Sequence, residues 1–451
     1  MKPAGRKRRF WLLLAVAIGG WLSLTPAHAQ TAAAVGKTLT RTIDPVTVQG
    51  REIGTLNGTP IDRLGMFAVD GGKWTPIPFQ VDERLAGEYV FRSGSGASAD
   101  TDRGLLDADD EVAFISADAG PAVDAASWPA GAQKGVEITL YDPADGGRAA
   151  VYLFAFSGPA PRSPKDYVVY HVDRNEIETT DYLIGYHPQA PISIDKLIVK
   201  PAAGGNGQSV ADRQKIRMEA ISIWNLVHFT RNENDFQSSV IAYNDGPVRI
   251  LRKTRNRVIL FWRIPSPSVE LTSVYWKTGM EFPISLNLPF RISGLFREAK
   301  LKIYTDSPPN VPNRRFYNQH NPAGVLIDGR MQENEIHFDR RPSDWQVVAG
   351  TTAQHREGWF SRQIFLQEHD GVTLPAFYRD DVSVPDPPEQ FPGCFGCLGF
   401  EIQGVERLDA GIYSLKVQMY PMPAYRPGDE HRYLNLVDQP LRKVVRALSS
   451  R

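Results

Sequence analysis

Apolar residues along this chain fall in short runs or at every second position, and Gly, Pro and Asp interrupt them at close intervals. Before residue 158 such runs occupy 63–69, 89–91, 112–115, 136–141 and 150–156. A period of two sends alternate side chains to opposite faces of an extended backbone, so these runs predict strands. Frequent turn residues between them predict a barrel or a sandwich. The pattern continues through 166–172, 194–199, 215–224, 248–262, 269–276, 300–304, 346–348, 364–367 and 411–419. Helical offsets appear at Leu441, Val444, Val445 and Leu448, which predicts a short helix over 439–448.

Three prolines within 159–165 suit neither strand nor helix and mark a linker. The expected architecture is therefore all-β with few short helices. A small N-terminal β-barrel or sandwich at 31–160 precedes a larger antiparallel β-sandwich at 166–451. The length of 451 residues suits two or three domains.

The first residues change the picture of where the chain works. Arg6, Lys7, Arg8 and Arg9 precede an apolar run at 10–24, and Ala27-His28-Ala29 closes it with small residues at the positions a signal peptidase reads. This predicts a signal peptide at 1–29, cleavage before Gln30, and a periplasmic or extracellular protein. The run is shorter than a permanent bilayer span, and no other stretch is apolar enough for a helical one, so no transmembrane segment is expected after cleavage. Loss of the five basic leader residues takes the net charge from 0 to −5, which is not the balance of a nucleic-acid-binding protein. Charge is also uneven: 31–165 holds 12 basic and 18 acidic residues, whereas 190–265 holds 12 basic and 6 acidic.

That basic stretch carries the most informative motif. Asp245-Gly246-Pro247 is a turn that launches an extended run, in which Lys253, Arg255 and Arg257 share one face and Arg252, Thr254 and Asn256 the other. A strip of this kind suits a carboxylate- or sulfate-bearing chain. It equally suits a solvated strand face whose charges discourage edge pairing. Nearby Trp224, Tyr243, Trp262, Tyr275 and Trp276 offer ring faces for sugars, or for a core. Lyase chemistry on a uronate needs a cation at the carboxylate and a base for the α-proton. His228, Tyr243 and Arg249 are the candidate catalytic residues, with Lys253, Arg255, Arg257 and Trp262 binding substrate. His171, Tyr170, Tyr317 and His320 offer the same parts.

Three further groups carry metal or redox chemistry. Asp100, Asp102, Asp107 and Asp109 lie in an acidic loop that suits calcium, the candidate cofactor, although Gly104 comes one position early for an EF-hand. The tract at 93–98 beside them reads as a mobile loop. Glu335, His337 and Asp339 would share one strand face and offer mixed ligands, but a straight strand spreads them too far to grip one ion. Cys394 and Cys397 read first as a tight disulfide in an oxidising compartment. A metal site would need two more ligands, with His355 and His369 nearest upstream, and a redox role would want a helix N-terminus.

Trp74-Thr75-Pro76-Ile77-Pro78-Phe79-Gln80-Val81-Asp82-Glu83 resembles a phrase near the start of exported bacterial proteins with an N-terminal barrel and a galactose-mutarotase-like or rhamnogalacturonan-lyase-like sandwich. The resemblance covers about residues 40–120. It implies the two-part β architecture and carries over no catalytic residue, and the Trp-x-Asp-Gly-Ser stretch of the lyase relatives is absent. The expected function is binding, with cleavage as its extension, of an acidic polysaccharide in a cationic aromatic cleft at 215–263. The alternative is a non-catalytic envelope protein that docks onto an exported enzyme, a redox complex or an outer-membrane assembly.

Overall fold

The computed structural model describes residues 36–123, 128–259, 265–309, 313–350, 357–365 and 371–449, with only the backbone of residue 365. The fold is all-β as expected: antiparallel sheets with few short helices, and no closed barrel among the described residues.

The N-terminal part is a sandwich. One sheet has the order Pro45–Gln49, Glu111–Ile115, Gln80–Asp82. The other runs Arg442–Leu448, Ala132–Tyr141, Arg148–Phe156, Leu64–Asp70, Lys73–Pro76. Alternation sends Val112 and Phe114 of the first sheet against Met66, Ile138 and Leu153 of the second. Ala113 and Ile115, on the other face, meet Leu251, Val274 and Trp276 of the next part of the molecule. The strand Glu111–Ile115 is thus buried on both faces, which is why its sequence is a continuous apolar run.

A nine-stranded sheet forms the spine of the remainder. Its order is Phe236–Asp245, Arg249–Val258, Val269–Trp276, Gly279–Leu288, Gly411–Met422, Gly358–Phe365, Gln346–Gly350, Arg314–Asn318, Asn321–Ile327. On one face, a four-stranded sheet (Val168–His171, Glu176–Thr179, Tyr182–His187, Ala190–Val199) packs Ile184 and Ile194 against Ile250 and Tyr275. Beside it a five-stranded sheet runs His228–Arg231, Arg213–Ser222, Phe296–Asp306, Cys394–Ile402, Ala376–Asp381. Its Ala376 and Tyr378 meet Phe316 and Ile327 of the spine. The opposite face is covered by the N-terminal sandwich and by the helix Glu430–Asp438, whose Tyr433 stacks on Phe360.

The C-terminal element differs from its expected form. The helix expected at 439–448 is the strand Arg442–Leu448, paired with Ala132–Tyr141 of the N-terminal sandwich. Val445 packs inward while Leu448 joins an aromatic cluster on the sheet's outer face, so apolar residues on both strand faces imitate a helical spacing. The adjacent β-branched Val444 and Val445 suit the extended form. Among the described residues no helix is long and apolar enough to cross a membrane.

Candidate functional site

The Asp245-Gly246-Pro247 turn delivers the strand Arg249–Val258 between Phe236–Asp245 and Val269–Trp276, with Arg255 opposite both Ser239 and Glu270. Alternation then sorts its side chains. Ile250, Arg252, Thr254 and Asn256 are buried toward the four-stranded sheet, whereas Lys253, Arg255 and Arg257 are partly or fully exposed on the other face. Lys253 Nζ lies 2.8 Å from Glu270 Oε2, and Arg255 donates from Nε and Nη2 to Glu270 Oε1 at 3.0 and 2.9 Å. Arg257 Nε donates to Gln237 Oε1 at 2.7 Å. The hydrogen bond from Lys253 is the main reason that the Glu270 carboxyl titrates below its usual range. The strip thus carries three cations against one carboxylate.

Arg249 begins the same face but is sealed beneath the N-terminal sandwich, 1% exposed. Its Nε donates to Asp82 Oδ2 at 2.8 Å and its Nη1 to Glu111 Oε1 at 2.7 Å. The guanidinium lies over the Trp276 ring, 4.8 Å from the centroid. Gln80 completes the clasp: its Oε1 accepts the backbone amides of Val248 and Arg249, and its Nε2 donates to the Asp82 carboxylate. A side chain enclosed by two carboxylates and a ring cannot reach a substrate. The role that this geometry gives Arg249 is to join the two parts of the molecule.

A cleft of about 500 Å³ opens beside this clasp. Phe79, Gln80 and Asp82 form its floor, and Arg92, Arg162 and Asn244 stand around it. Arg162 lies over the Phe79 ring at 4.2 Å and donates to the carbonyl of Ile61. Arg92 reaches Glu83 Oε2 at 3.0 Å, and its backbone amide donates to Asn244 Oδ1 at 2.8 Å. The segment expected to be a mobile loop is held here. Tyr243 donates its amide to the carbonyl of Ser93, and a Cβ on Gly94 would meet the carbonyl oxygen of Ile241 at 2.5 Å.

The remaining candidates do not converge with Arg249. His228 is exposed on the edge strand of the five-stranded sheet, opposite Ile221. Tyr243 lies in the nine-stranded sheet, edge-on to Tyr170 at 5.1 Å. Of the rings proposed to stack on sugars, Tyr275 and Trp276 are core residues, Trp224 is 75% exposed at the tip of a different sheet, and Trp262 lies outside the described residues. His171 pairs with Glu178, Tyr170 donates to Asn175, Tyr317 packs beneath the C-terminal helix, and His320 pairs with the carbonyl of Pro342.

Glu335, His337 and Asp339 share no strand face, because the segment Glu333–Ile336 is a helical turn. The Glu335 carboxylate accepts the Gln332 amide and the Tyr378 hydroxyl, while Asp339 takes Arg341. In the acidic loop, Asp100, Asp102 and Asp107 bring one carboxylate oxygen each within 4.8 Å of one another. Asp109 is not among them, and Asp107 Oδ1 already accepts the amides of Asp109 and Asp110. Calcium takes six to eight oxygens, so backbone carbonyls, second carboxylate oxygens or waters would have to supply the rest. Cys394 and Cys397 form a buried disulfide at the start of the strand Cys394–Ile402. His355 and His369 lie outside the described residues.

Sequence reasoning missed the acidic half of the clasp. Gln80–Asp82 and Glu111–Ile115 are buried at every position, so no polar–apolar alternation marks Asp82 and Glu111 for the interior.

No family model and no curated protein matches the chain. Among solved structures, a glycosyl hydrolase family 38 protein from Enterococcus faecalis is similar with a TM-score of 0.45 and 8% identity, over 92% of this chain and 46% of that one. An α-mannosidase from Enterococcus faecalis V583 is similar with a TM-score of 0.41 and 8% identity, over 92% and 45%. The chain spans less than half the length of either protein. Neither bears the name of the lyase-like or mutarotase-like proteins that the Trp74 phrase resembles.

Proposed function

We propose that this is an exported, non-cleaving protein that binds an acidic polysaccharide along the outer face of the strand Arg249–Val258 and into the adjoining cleft. The observation that carries the reading is the sidedness of that strand. Lys253, Arg255 and Arg257 stand outward at intervals of two residues, each about 6.6–6.8 Å further along. Such a row matches a polymer with anionic groups at regular intervals. Arg92 and Arg162 bring two further cations to the cleft, beside the carboxylates of Asp82 and Asp245. The non-cleaving half is supported by the separation of His228 and Tyr243 in different sheets and the enclosure of Arg249. Incubating the mature protein with a panel of uronic-acid and sulfated glycans tests both halves. Saturable, salt-sensitive binding without new ultraviolet absorbance from unsaturated ends is the expected outcome. Absence of binding across the panel removes the reading, and appearance of unsaturated ends overturns its non-cleaving half.

One observation favours docking to an envelope protein instead. Ile223, Trp224, Leu226 and Val227 are exposed at one hairpin tip, where the amide of Ile223 bonds the carbonyl of exposed Leu295. An apolar tip of this kind is a common mark of an interaction site. Co-purification of a stoichiometric partner that is lost in a Trp224→Ser, Leu226→Ser variant would support docking.

A further inference from the structure

Two apolar sheet faces inside the molecule oppose each other without closing. On the five-stranded sheet, Ile216, Ile303 and Phe400 pair across neighbouring strands and so share one face, with Met218, Leu301 and Ile402 in the next row. On the nine-stranded sheet, Phe282 pairs with Val417 and Ile284 with Leu415. The faces meet at a half-open cavity of about 80 Å³, bordered by Ile303 and Phe400 from one sheet and by Val417, Met419 and Trp359 from the other. A sandwich normally buries the side chains between its sheets. Here Leu301, Ile303 and Ile402 on one side, and Ile284, Leu286 and Val417 on the other, are only half-buried. The inner row from Phe282 to Leu288 makes three intervals of two residues, a crevice about 20 Å long.

These rows carry no charge. Alternation turns the charged residues between them, Lys215, Arg217, Lys302, Glu281 and Lys416, to the opposite faces of their sheets. Where the crevice reaches the cavity, Ser361, Gln363 and Thr305 add uncharged polar groups. Among the described residues that border the cavity, Arg314 alone is charged, and it is 1% exposed. Its Nη1 donates to the carbonyl of Val210 at 3.0 Å and its Nη2 lies 3.6 Å from Glu357 Oε1, so its charge is met within the protein.

We infer that the crevice binds the alkyl chain of a single-chain amphiphile, with the chain end in the cavity beside Trp359 and the headgroup in solvent. Uncharged apolar walls argue for hydrocarbon, because a charged or sugar ligand would give up its hydration there without repayment. Width argues for a single chain. About 80 Å³ equals the liquid volume of roughly three waters, which suits terminal methylenes. A helix is roughly 10–12 Å across and does not enter. Covering half-wet apolar side chains supplies the driving force, and each methylene taken from water tightens binding about fourfold. Lys253, Arg255 and Arg257 stand on the other face of the nine-stranded sheet, so this inference is independent of the glycan reading.

Dodecanoate brominated at its chain end quenches an indole that it touches. Titrated into the protein below its micelle-forming concentration, it is expected to quench part of the tryptophan fluorescence saturably, and Trp359→Phe is expected to lose that part. Octanoate, decanoate and dodecanoate should displace it with affinities that rise about fourfold per methylene. Decanol should displace it as decanoate does, because the headgroup stays outside. Ile303→Gln places an amide in the chain's path and is expected to weaken decanoate about tenfold, with a melting curve to show that it folds. Absence of quenching, quenching that persists in Trp359→Phe, affinity that ignores chain length, or failure of decanol overturns the inference. So does a dimer in light scattering that decanoate dissociates, since a second copy would then be what covers these faces.

Discussion

Arg249 and Glu111 lie 138 residues apart in sequence and meet as an ion pair at 2.7 Å, both buried. Each belongs to a strand that faces the other across the boundary between the N-terminal sandwich and the nine-stranded sheet. Removing one member of such a pair leaves the other charge without compensation. Arg249→Met is therefore expected to cost about 3–5 kcal/mol of stability in chemical denaturation, because Asp82 and Glu111 both lose their partner. The same variant in a merely solvated arginine would fall within experimental scatter.

The Arg249 pair also predicts an acid limit. Burial raises the Glu111 carboxyl, but the charges of Arg249 and Arg84 overcome it and hold the group below its ordinary value of 4.5. A carboxyl lowered in the folded state stabilises above its unfolded value, and that contribution is lost as pH falls through the folded one. Stability is expected to drop below about pH 4.5, and Glu111→Gln should remove part of the slope. Thermal melts of the two proteins from pH 3 to 6 check it; parallel profiles would contradict the lowered carboxyl.

Asp306 gives the opposite sign. Burial raises its carboxyl to about 8 despite Lys215 Nζ at 3.9 Å, and its Oδ2 has no hydrogen-bond partner among the described residues. The folded state therefore holds a proton that the unfolded chain releases near its ordinary 3.8. This stabilisation is complete below 3.8 and is lost as pH rises toward 8. Asp306→Asn cannot titrate, so its melting temperature is expected to vary less than that of the wild type between pH 4 and 8.

Gly246 tests the clasp from the backbone side. A Cβ at this position would lie 2.5 Å from Gln80 Oε1, the atom that accepts the Val248 and Arg249 amides. Gly246→Ala is expected to destabilise by roughly 1–3 kcal/mol through overpacking, and Gly246→Ala with Gln80→Ala by less than the sum of the single changes. Additive losses would show that the two positions do not touch.

How far the sequence reveals this molecule depends on the range of the interactions concerned. The strand Val269–Trp276 was legible to the residue, because alternation and turn chemistry are local. So was the sharing of one face by Lys253, Arg255 and Arg257. Arg249 was not, since its partners Asp82 and Glu111 come from strands far away in sequence. Arg442–Leu448 read as a helix for the same reason: its spacing fits two periods, and pairing with Ala132–Tyr141 decides between them. Glu335 was misplaced because the cap between the Gln332 amide and its own carboxylate closes a turn that a strand pattern does not reveal.

Glu270 supplies a test of the glycan reading with an unusual sign. It is the carboxylate that engages both Lys253 and Arg255, so in the free protein it competes with any anionic ligand for those cations. Glu270→Gln removes the competitor while keeping the side-chain size, and is expected to tighten binding of an acidic glycan several-fold at low salt. The combined Lys253→Gln, Arg255→Gln, Arg257→Gln variant should weaken it by at least tenfold, with the difference between the proteins shrinking as salt screens the charges. Both variants change exposed or half-exposed positions at the surface, so melting temperatures should stay near that of the wild type. Measuring affinity for one glycan at two ionic strengths across the three proteins separates the strip from a general charge effect. Loss of one negative charge far from the strip, as in Asp409→Asn, should not reproduce the gain from Glu270→Gln. If it does, the attraction is diffuse and this strand is not the binding face.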